Sequence, residues 1–301
     1  MNEFELIRTY FQQPRLAFNT PYVLKGIGDD CATLSIPDDL HLHVSLDTLV
    51  SDVHFPAQAR GYDIATRALG VTLSDLAAMG AKPIGFTLGI TLPDLDEAWL
   101  ASFCSGLAHL AQKYECPLIG GDTTKGPVLV ISIQVHGVTA KNQFLRRSGA
   151  KIGDKVYVSG PLGDAAGALS LVLDKPSQVE GLAQAYYLPE PKIGLGLSLA
   201  SYASSALDIS DGLLQDLNHI CVASGVGMSI NSQQIPLSDA LITLVGKERA
   251  LALALTGGDD YQLAYTAGHC DQGICIGEVI KGQSVWVDDE PADPRGYQHF
   301  G

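Results

Sequence analysis

The sequence predicts an α+β chain of two domains. Its 301 residues exceed the roughly 100 to 200 that one domain usually holds. Hydrophobic residues make up 46% of the chain and charged residues 17%, as in globular proteins. Helical and extended patterns alternate in both halves, and the basic, glycine-containing segment LRRSGAKIGD (145–154) interrupts them. We therefore predict one domain over residues 1–146 and a second over 147–301.

Hydrophobic spacing gives the elements of the first half. A short amphipathic helix is predicted near 4–12, and HLHVSLDTLV (41–50) alternates as a half-buried strand does. In that strand His41, His43, Ser45 and Asp47 lie on one face, and Leu42, Val44 and Leu46 on the other. The remaining elements are helices over 62–81 and 96–115, the first closing at Gly80, and strands over 83–92 and 128–138.

The second half shows the same mixture of elements. A strand is predicted over 155–160, directly after the interrupting segment. Further helices are expected near 163–173, 192–204, 211–224 and 248–255, and further strands near 205–209, 226–230, 260–267 and 274–280. We find no sequence repeat and no low-complexity tract.

The charge of the chain excludes several classes of partner. Lys and Arg number 19 and Asp and Glu 33, which gives a formal net charge of -14. Such a chain repels nucleic acid and anionic membranes, and an anionic substrate would need metal ions as intermediaries. The start of the chain shows no signal-peptide pattern, so a soluble, cytoplasmic protein is expected. The six cysteines form no CxxC pair and are expected to be reduced.

Aspartates recur beside glycine or serine at six places. These are GDD (28–30), SLD (45–47), LSD (73–75), GDT (121–123), DISDG (208–212) and GDD (258–260). Mg²⁺ takes oxygen ligands and usually uses one or two carboxylates per ion, together with phosphate oxygens and water. Neither common glycine-rich nucleotide motif is present, because no GxxxxGK[ST] occurs and Cys31 replaces the third glycine of GxGxxG. The pattern indicates a phosphate-binding site that relies on magnesium.

A structural role is the alternative at each place. Aspartate after glycine commonly closes a turn, because its short side chain accepts hydrogen bonds from nearby backbone amides. Ser210 or Asp211 could likewise cap a helix. Asp75 is harder to explain in that way. On a helix it aligns with an apolar stripe that includes Ile64, Ala68 and Val71, and a carboxylate there needs a partner such as a cation.

Taken in order, these stretches resemble the thiamine-monophosphate kinase family, which belongs to a superfamily with aminoimidazole ribonucleotide synthetase. The matching motifs are GIGDDCA, SLDTLVSDVHF, LSDLAAMGAKP, LIGGDTTKGP, LRRSGAKIGD, LDISDGLLQDL, TGGDDYQL and RGYQHF, within residues 26–300. The resemblance implies the two-domain aminoimidazole ribonucleotide synthetase-like fold. The N-terminal domain would bind metal and ATP and carry a mixed sheet used for dimerisation, and a C-terminal α/β domain would complete the nucleotide and substrate site. It also implies a homodimer and ATP-dependent conversion of thiamine monophosphate to thiamine diphosphate.

The resemblance also implies a role for each matching residue. The magnesium ligands would be Asp30, Ser45, Leu46, Asp47, Asp75, Asp122, Asp208 and Asp211. The ATP contacts would be Gly121, Asp122, Arg147 and Ser210. The substrate contacts would be His54, Gln262 and Tyr297, and catalysis would rest on Asp47, Asp122 and Arg147.

Two positions depart from the family pattern. Leu46 stands where the family usually has threonine, so the metal contact expected there would use the backbone carbonyl or be missing. Gln262 replaces a glutamate, which keeps hydrogen bonding and removes a charge. Both changes bear on affinity for metal or substrate.

The expected chemistry is direct in-line phosphoryl transfer with several Mg²⁺ ions, without a covalent enzyme intermediate. One alternative is another ATP-dependent synthetase of the same superfamily. The other is a non-catalytic nucleotide-binding regulator. The VHF segment with His54 and the terminal RGYQHF favour the thiamine branch.

Overall fold

The computed structural model of the chain describes residues 3–178, 180–294 and 296. The chain divides into two compact units, here called the N-terminal and the C-terminal unit. The N-terminal unit contains residues 3–76, 81–142 and 173–178. The C-terminal unit contains residues 77–80, 143–172, 180–294 and 296. In the described part of the chain, no helix combines the length and apolarity needed to cross a membrane.

The N-terminal unit is built on a mixed sheet. Its elements are α1 (Glu3–Leu6), a π-helical turn (Ile7–Phe11), β1 (Val23–Lys25), β2 (Thr33–Leu34), β3 (Leu40–Val50), α2 (Gly61–Ala78), β4 (Lys82–Leu92), α3 (Glu97–Lys113), β5 (Leu118–Lys125) and β6 (Val130–Ala140). Among the described residues, four strands pair in the order β3-β6-β4-β5. β4 and β5 are parallel and joined by α3, whereas β6 runs antiparallel to β3 and β4.

The two faces of this sheet have different surroundings. On the inner face β4 and β6 bury branched and aromatic side chains such as Phe86 and Ile133. α2 packs against this face, and Leu76 lies directly over Gly137 of β6. The outer face carries smaller or polar side chains on β4, β5 and β6, and apolar ones on β3. The sheet therefore separates two environments at every strand position.

The segment LIGGDTTKG lies where the periodic pattern gave no element. Leu118–Lys125 form β5, and Gly121 and Asp122 are inside this strand rather than in a turn. A Cβ on Gly121 would lie 2.0 Å from the carbonyl oxygen of Leu88 on β4, so only glycine fits. Glycine at position 121 is therefore required by the close packing of β5 against β4, and not by a turn.

The C-terminal unit is built on a larger sheet. Its elements are β7 (Lys155–Val158), α4 (Asp164–Asp174), α5 (Ala183–Tyr187), α6 (Ile193–Leu199), β8 (Ser205–Asp208), α7 (Leu213–Ser224), β9 (Gly227–Ile230), a 3₁₀ turn (Ser232–Gln234), α8 (Asp239–Val245), α9 (Lys247–Thr256), β10 (Leu263–Ala267), β11 (Ile274–Ile280), β12 (Val285–Val287) and β13 (Glu290–Pro291). The strands described here pair in the order β13-β12-β9-β11-β7-β10-β8. All neighbours are antiparallel except β12 and β9.

α7 positions the segment of the C-terminal unit in which the sequence predicts site residues. Leu213, Leu217 and Ile220 are buried at helical spacing in a core that includes Val156 and Met228. The chain enters α7 from β8 through residues 209–212, so burial of this helix fixes the end of that segment.

We expect a methyl group at Gly106 to destabilise the N-terminal unit. A Cβ there would lie 2.5 Å from the carbonyl oxygen of Tyr62, at the contact of α3 with α2. Gly106→Ala should lower the free energy of unfolding by about 1 to 3 kcal/mol. Denaturation followed by the fluorescence of Trp99, in a Trp286→Phe background, reports on this unit.

The matched control is Gly194→Ala in α6, where a Cβ would meet no atom within 4 Å. That change should be neutral or stabilise by up to about 1 kcal/mol, measured through Trp286 in a Trp99→Phe background. Equal destabilisation by both alanines would contradict the assigned helix contact.

Candidate active site

Ser45, Asp47 and Asp75 form one group on the inner face of the N-terminal sheet. Ser45 and Asp47 alternate along β3 and point toward α2, which carries Asp75. The hydroxyl of Ser45 donates a short hydrogen bond to Oδ2 of Asp75. Three predicted metal ligands from two distant parts of the chain are thus neighbours.

The electrostatics of this group are unfavourable without a cation. Burial, and then the charge of Asp75, raises the pKa of Asp47 to about 6, and a hydrogen bond from Thr72 acts in the opposite direction. Near neutral pH the carboxyl group of Asp47 is therefore ionised, although burial and the charge of Asp75 oppose its ionisation. A divalent cation beside the two carboxylates would remove the repulsion.

Leu46 lies on the opposite face of β3 from this group. Its side chain is 56% exposed on the outer face, between Ser45 and Asp47 in sequence. The side chain cannot reach a cation held by those two residues, and its backbone carbonyl is the oxygen it could offer. The metal contact predicted at Leu46 stays a prediction.

A cavity of about 980 Å³ lies in the N-terminal unit, where the chain's start and the GIGDDC loop meet β4 and β5. Its lining includes Gly28, Asp30, Gly121 and Asp122, all predicted from the sequence to lie at or near the site. Apolar side chains such as Phe11 line it as well. Glycine backbone and apolar walls suit a ligand with a flat apolar part, whereas the two carboxylates could meet an anionic part only through cations.

Asp47 and Asp122 occupy different parts of the sheet. The strand register runs level from Asp47 through Ile133 and Leu88 to Gly121. Three strand spacings amount to ~14 Å. Asp122 also lies on the outer face, in register with Gly89 and so with Thr48 of β3. Within one N-terminal unit these two predicted ligands do not meet at a single ion.

His54 is held in one tautomer by its own loop. The amide N–H of Val50 donates to Nδ1 of His54 (3.0 Å), so the proton of the neutral ring lies on Nε2. Arg67, which is 4% exposed, donates from Nε to the carbonyl oxygen of His54 (3.2 Å). The loop therefore presents His54 Nε2 as a hydrogen-bond donor, as contact with a phosphate requires.

In the C-terminal unit Asp208 ends β8, and Ser210 and Asp211 lie in the segment that leads from β8 to α7. Oδ2 of Asp216, in the first turn of α7, accepts the backbone N–H groups of Ser210 (3.1 Å), Asp211 (3.1 Å) and Gly212 (3.2 Å). Burial raises the pKa of Asp216 to about 6 although these hydrogen bonds favour its ionised form. The side chain thus stabilises the segment internally.

The TGGDDYQ segment (residues 256–262) runs beside the segment of residues 209–212. The amide N–H groups of Asp259 and Tyr261 donate to the carbonyl oxygens of Ser210 (2.9 Å) and Ile209 (2.8 Å). Both residues adopt positive φ angles, 68° and 49°, which non-glycine residues rarely do. The two segments therefore form one hydrogen-bonded unit with a strained turn.

Asp260 and Gln262 have structural contacts in that segment. Burial raises the pKa of Asp260. The N–H of Gly163 donates to both oxygens of its carboxylate, at 2.8 and 3.0 Å. Oε1 of Gln262 accepts from the hydroxyl of Ser159 (2.7 Å). That hydrogen bond directs the amide nitrogen of Gln262 away from Ser159, as a donor.

Arg147 and Gly296 lie near the same helix, α7. Burial, and then the positive charge of Arg147, lowers the pKa of His219 in α7, whereas the charge of Asp211 raises it. A Cβ on Gly296 would lie 2.5 Å from Oε1 of Gln215 and 2.6 Å from the carbonyl oxygen of Asp211. Tyr297, the predicted substrate contact that follows Gly296, lies outside the described residues.

Asp216 and Arg67 were missed by the sequence reasoning. Asp216 follows Leu213 by three residues and precedes Leu217, so it falls on the buried stripe of α7. Like Asp75, Asp216 is a carboxylate on an apolar helical stripe, and this signal was present in the sequence. Nothing in the sequence marks Arg67, because a helical arginine is usually solvated.

The oxygen donors present fit Mg²⁺. Among residues 3–178, 180–294 and 296, no three or more His, Cys, Asp or Glu side chains lie close enough together to hold a metal ion by themselves. The group of Ser45, Asp47 and Asp75 offers two carboxylates and a hydroxyl. Mg²⁺ ordinarily completes such a set with phosphate oxygens and water.

Comparisons with known proteins define the family. The model described as AIR synthase related protein, N-terminal domain, matches residues 28–139, and that of the C-terminal domain matches residues 151–288. The thiamine-monophosphate kinase of Escherichia coli strain K12 is 44% identical, over 99% of this chain and 98% of the relative. The chain therefore belongs to the AIR synthase related proteins and, within them, to the thiamine-monophosphate kinase family, so it is a kinase.

Solved structures agree with this assignment. The crystal structure of thiamine-monophosphate kinase from Stenotrophomonas maltophilia K279a matches with a TM-score of 0.86 and 40% identity, covering 91% of this chain and 93% of that chain. The structure of AaThiL complexed with AMPPCP and TMP matches with a TM-score of 0.82 and 32% identity, covering 99% and 97%. The predicted family and fold class are confirmed.

We expect Asp47→Asn to stabilise the metal-free chain at neutral pH. Since the pKa of Asp47 is raised to about 6, the folded chain binds this proton more tightly than the unfolded chain. Stability should therefore fall as pH rises from about 4 to about 6, and asparagine removes that loss. At pH 7.5 in EDTA the variant should be more stable by about 1 to 3 kcal/mol. Trp99 fluorescence in guanidinium, in the Trp286→Phe background, measures this.

Near pH 4 the two proteins should converge. A difference that stayed constant from pH 4 to pH 8 would show that Asp47 does not titrate in the folded chain as described.

Proposed function

We propose that this kinase transfers the γ-phosphoryl group of ATP to thiamine monophosphate and forms thiamine diphosphate. The observation that carries the proposal is the placement of Asp47 beside Asp75, under electrostatic conditions that a cation would relieve. The family assignment and the matched AaThiL complex with AMPPCP and TMP support the choice of the two substrates.

We assign ATP to the 980 Å³ cavity of the N-terminal unit. Its apolar walls suit a purine base, and the close backbone at Gly121 lets phosphate approach the chain. Asp122, which is exposed on the cavity wall, would act through a cation rather than touch phosphate directly. Arg147 and Ser210 remain our proposed ATP contacts in the C-terminal unit, where Arg147 supplies a positive charge.

Magnesium ions are assigned to the carboxylates. Asp30, Ser45, Asp47, Asp75 and Asp122 would hold them in the N-terminal unit, and Asp208 and Asp211 in the C-terminal unit. When bound, Mg²⁺ would neutralise phosphate charge so that two polyanions can approach each other. The backbone carbonyl of Leu46 completes the set that we propose.

The transfer itself needs little from the protein beyond positioning. An oxygen of the acceptor phosphate attacks the γ-phosphorus, and the bond from that phosphorus to the bridging oxygen breaks as ADP leaves with the electron pair. The acceptor oxygen is already ionised near neutral pH, so no strong base is required. His54 would donate from Nε2 to the substrate, and Gln262 and Tyr297 are proposed as further substrate contacts.

A homodimer is the second part of the proposal. Leu42, Val44 and Leu46 on the edge strand β3 are 45%, 52% and 56% exposed and lie on one face over ~14 Å. Such a stripe is unfavourable in water. A second copy of the chain, related by two-fold symmetry, would cover it with its own equivalent residues.

Replacing Asp122 tests the proposed function. With saturating ATP, thiamine phosphate and Mg²⁺, the unaltered chain should form thiamine diphosphate and ADP in equal amounts, measured by chromatography. Asp122→Ala should lower turnover by roughly 100-fold or more while leaving the unfolding curve unchanged. Asp94→Ala, a second exposed aspartate of the same unit, is the matched control.

Near-normal turnover by Asp122→Ala would refute its role. Absence of thiamine diphosphate with the unaltered chain would favour another synthetase of the superfamily if ATP is still consumed. A nucleotide-binding regulator would bind ATP without consuming it.

Val44→Glu should separate the dimer. It places a charge in the centre of the apolar stripe, where burial against a second copy would leave that charge without a partner. Sedimentation equilibrium should give twice the monomer mass for the unaltered chain and the monomer mass for the variant. Val222→Glu, at a 71% exposed position of the C-terminal unit, should leave the dimer intact. A dimer that survives Val44→Glu would exclude this face.

A further inference from the structure

The loop Ser210–Gly212 is restrained from two sides. On one side its backbone pairs with the TGGDDYQ segment through the carbonyl oxygens of Ile209 and Ser210. On the other side its three successive amide N–H groups converge on a single carboxylate oxygen, Oδ2 of Asp216. All three backbone N–H groups of the loop, and the carbonyl oxygens of Ser210 and Gly212, are therefore used within the protein.

The direction of the chain makes this convergence possible. Gly212 has φ 124°, and a Cβ there would lie 2.9 Å from backbone atoms of Thr256. This conformation turns the amides of residues 210–212 toward the start of α7. Asp216, which is 3% exposed, then occupies the place where a helix N-terminus would otherwise attract an anion.

We propose that Asp216 is a positioning residue of the reaction, because its carboxylate holds the Ser210–Gly212 loop in the conformation that presents Asp208 and Asp211 for cation binding. This inference rests on the proposed function, in which those two aspartates hold Mg²⁺. Asp216 does not contact the substrate. It also fills the anion position at the helix start, so a nucleotide phosphate cannot take up these three amides and must be met by cations and side chains.

The electrostatic consequence follows from the same geometry. With Asp216 in place, the loop would present the carboxylates of Asp208 and Asp211 to a cation, and the partial positive charge of its amides is neutralised by Asp216. Without Asp216 the three amides lack their acceptor and the loop loses its conformation. Outer residues that orient metal ligands typically change metal affinity or activity by about 10 to 100-fold.

Two variants of Asp216 and one control test the inference in the full-length chain. Asp216→Ala removes the acceptor, whereas Asp216→Asn keeps one carbonyl oxygen that can accept the three amides. Asp154→Asn is the matched control, because Asp154 is a buried carboxylate of the same unit (8% exposed) that accepts the N–H of Lys151. All three are checked for folding by circular dichroism.

The first readout is the Mg²⁺ concentration that gives half-maximal turnover. It should rise by about 10 to 100-fold in Asp216→Ala and by less in Asp216→Asn, with KM for thiamine phosphate unchanged within about two-fold. Asp154→Asn should behave as the unaltered chain does. A purely structural role would not produce this separation between Mg²⁺ dependence and KM.

The second readout does not need activity. Hydrogen–deuterium exchange at the amides of Ser210, Asp211 and Gly212 should be at least about ten-fold faster in Asp216→Ala than in the unaltered chain. Added Mg²⁺ should slow exchange in the unaltered chain and much less in the variant. If the unaltered chain forms no thiamine diphosphate, the proposed function fails, and exchange still decides the role of Asp216.

Unchanged Mg²⁺ dependence and unchanged exchange in folded Asp216→Ala would overturn the inference. If Asp216→Ala does not fold, Asp216→Asn decides in the same way. Failure of both to fold would assign the carboxylate to the fold alone and reject the positioning role.

Discussion

The main constraint on the N-terminal unit is that it holds two carboxylates close together, where they repel each other. Asp47 from β3 and Asp75 from α2 meet on the face of the sheet that otherwise buries apolar side chains. An apolar pair of similar volume would often stabilise such a position at least as well as paired charges do. We propose that the arrangement serves cation binding, because a divalent cation between the two carboxylates would replace their repulsion by attraction to the cation. The metal-free chain would therefore lose stability, because the two carboxylates repel each other.

The acidic residues fall into two groups with different partners. Asp216 is buried and Asp260 is half-buried, and both accept backbone N–H groups, so their carboxylates are used inside the protein. Asp30 and Asp122 line an open cavity, where a cation can reach them together with phosphate. A chain with a net charge of -14 repels phosphates, so the second use, at the cavity, would need cations between the carboxylates and the phosphates. Glycine supports the second use, since the backbone at Gly121 must pack closely against β4.

Periodic patterns predicted the long elements, and their physical basis explains both successes and failures. β3 follows strict alternation, and α2 and α3 carry apolar stripes, so their existence and approximate bounds could be predicted. β5 escaped prediction because its glycines read as a turn, and the contact with Leu88 that requires Gly121 is not local in sequence. Asp75 could be selected because it interrupts an apolar stripe. The exposure of Leu42, Val44 and Leu46 could not, since alternation does not tell which face a sheet buries.

We propose that the carboxylates of Asp47, Asp75 and Asp122 hold divalent cations beside the phosphates of both substrates. The most direct measurement is a crystal structure grown with Mn²⁺, a non-hydrolysable ATP analogue and thiamine monophosphate, with Mn²⁺ located by anomalous scattering. We expect anomalous peaks between phosphate oxygens and the carboxylates of Asp47, Asp75 and Asp122. Peaks confined to other parts of the chain, or both substrates bound with no Mn²⁺ at these aspartates, would contradict the proposed role of these carboxylates.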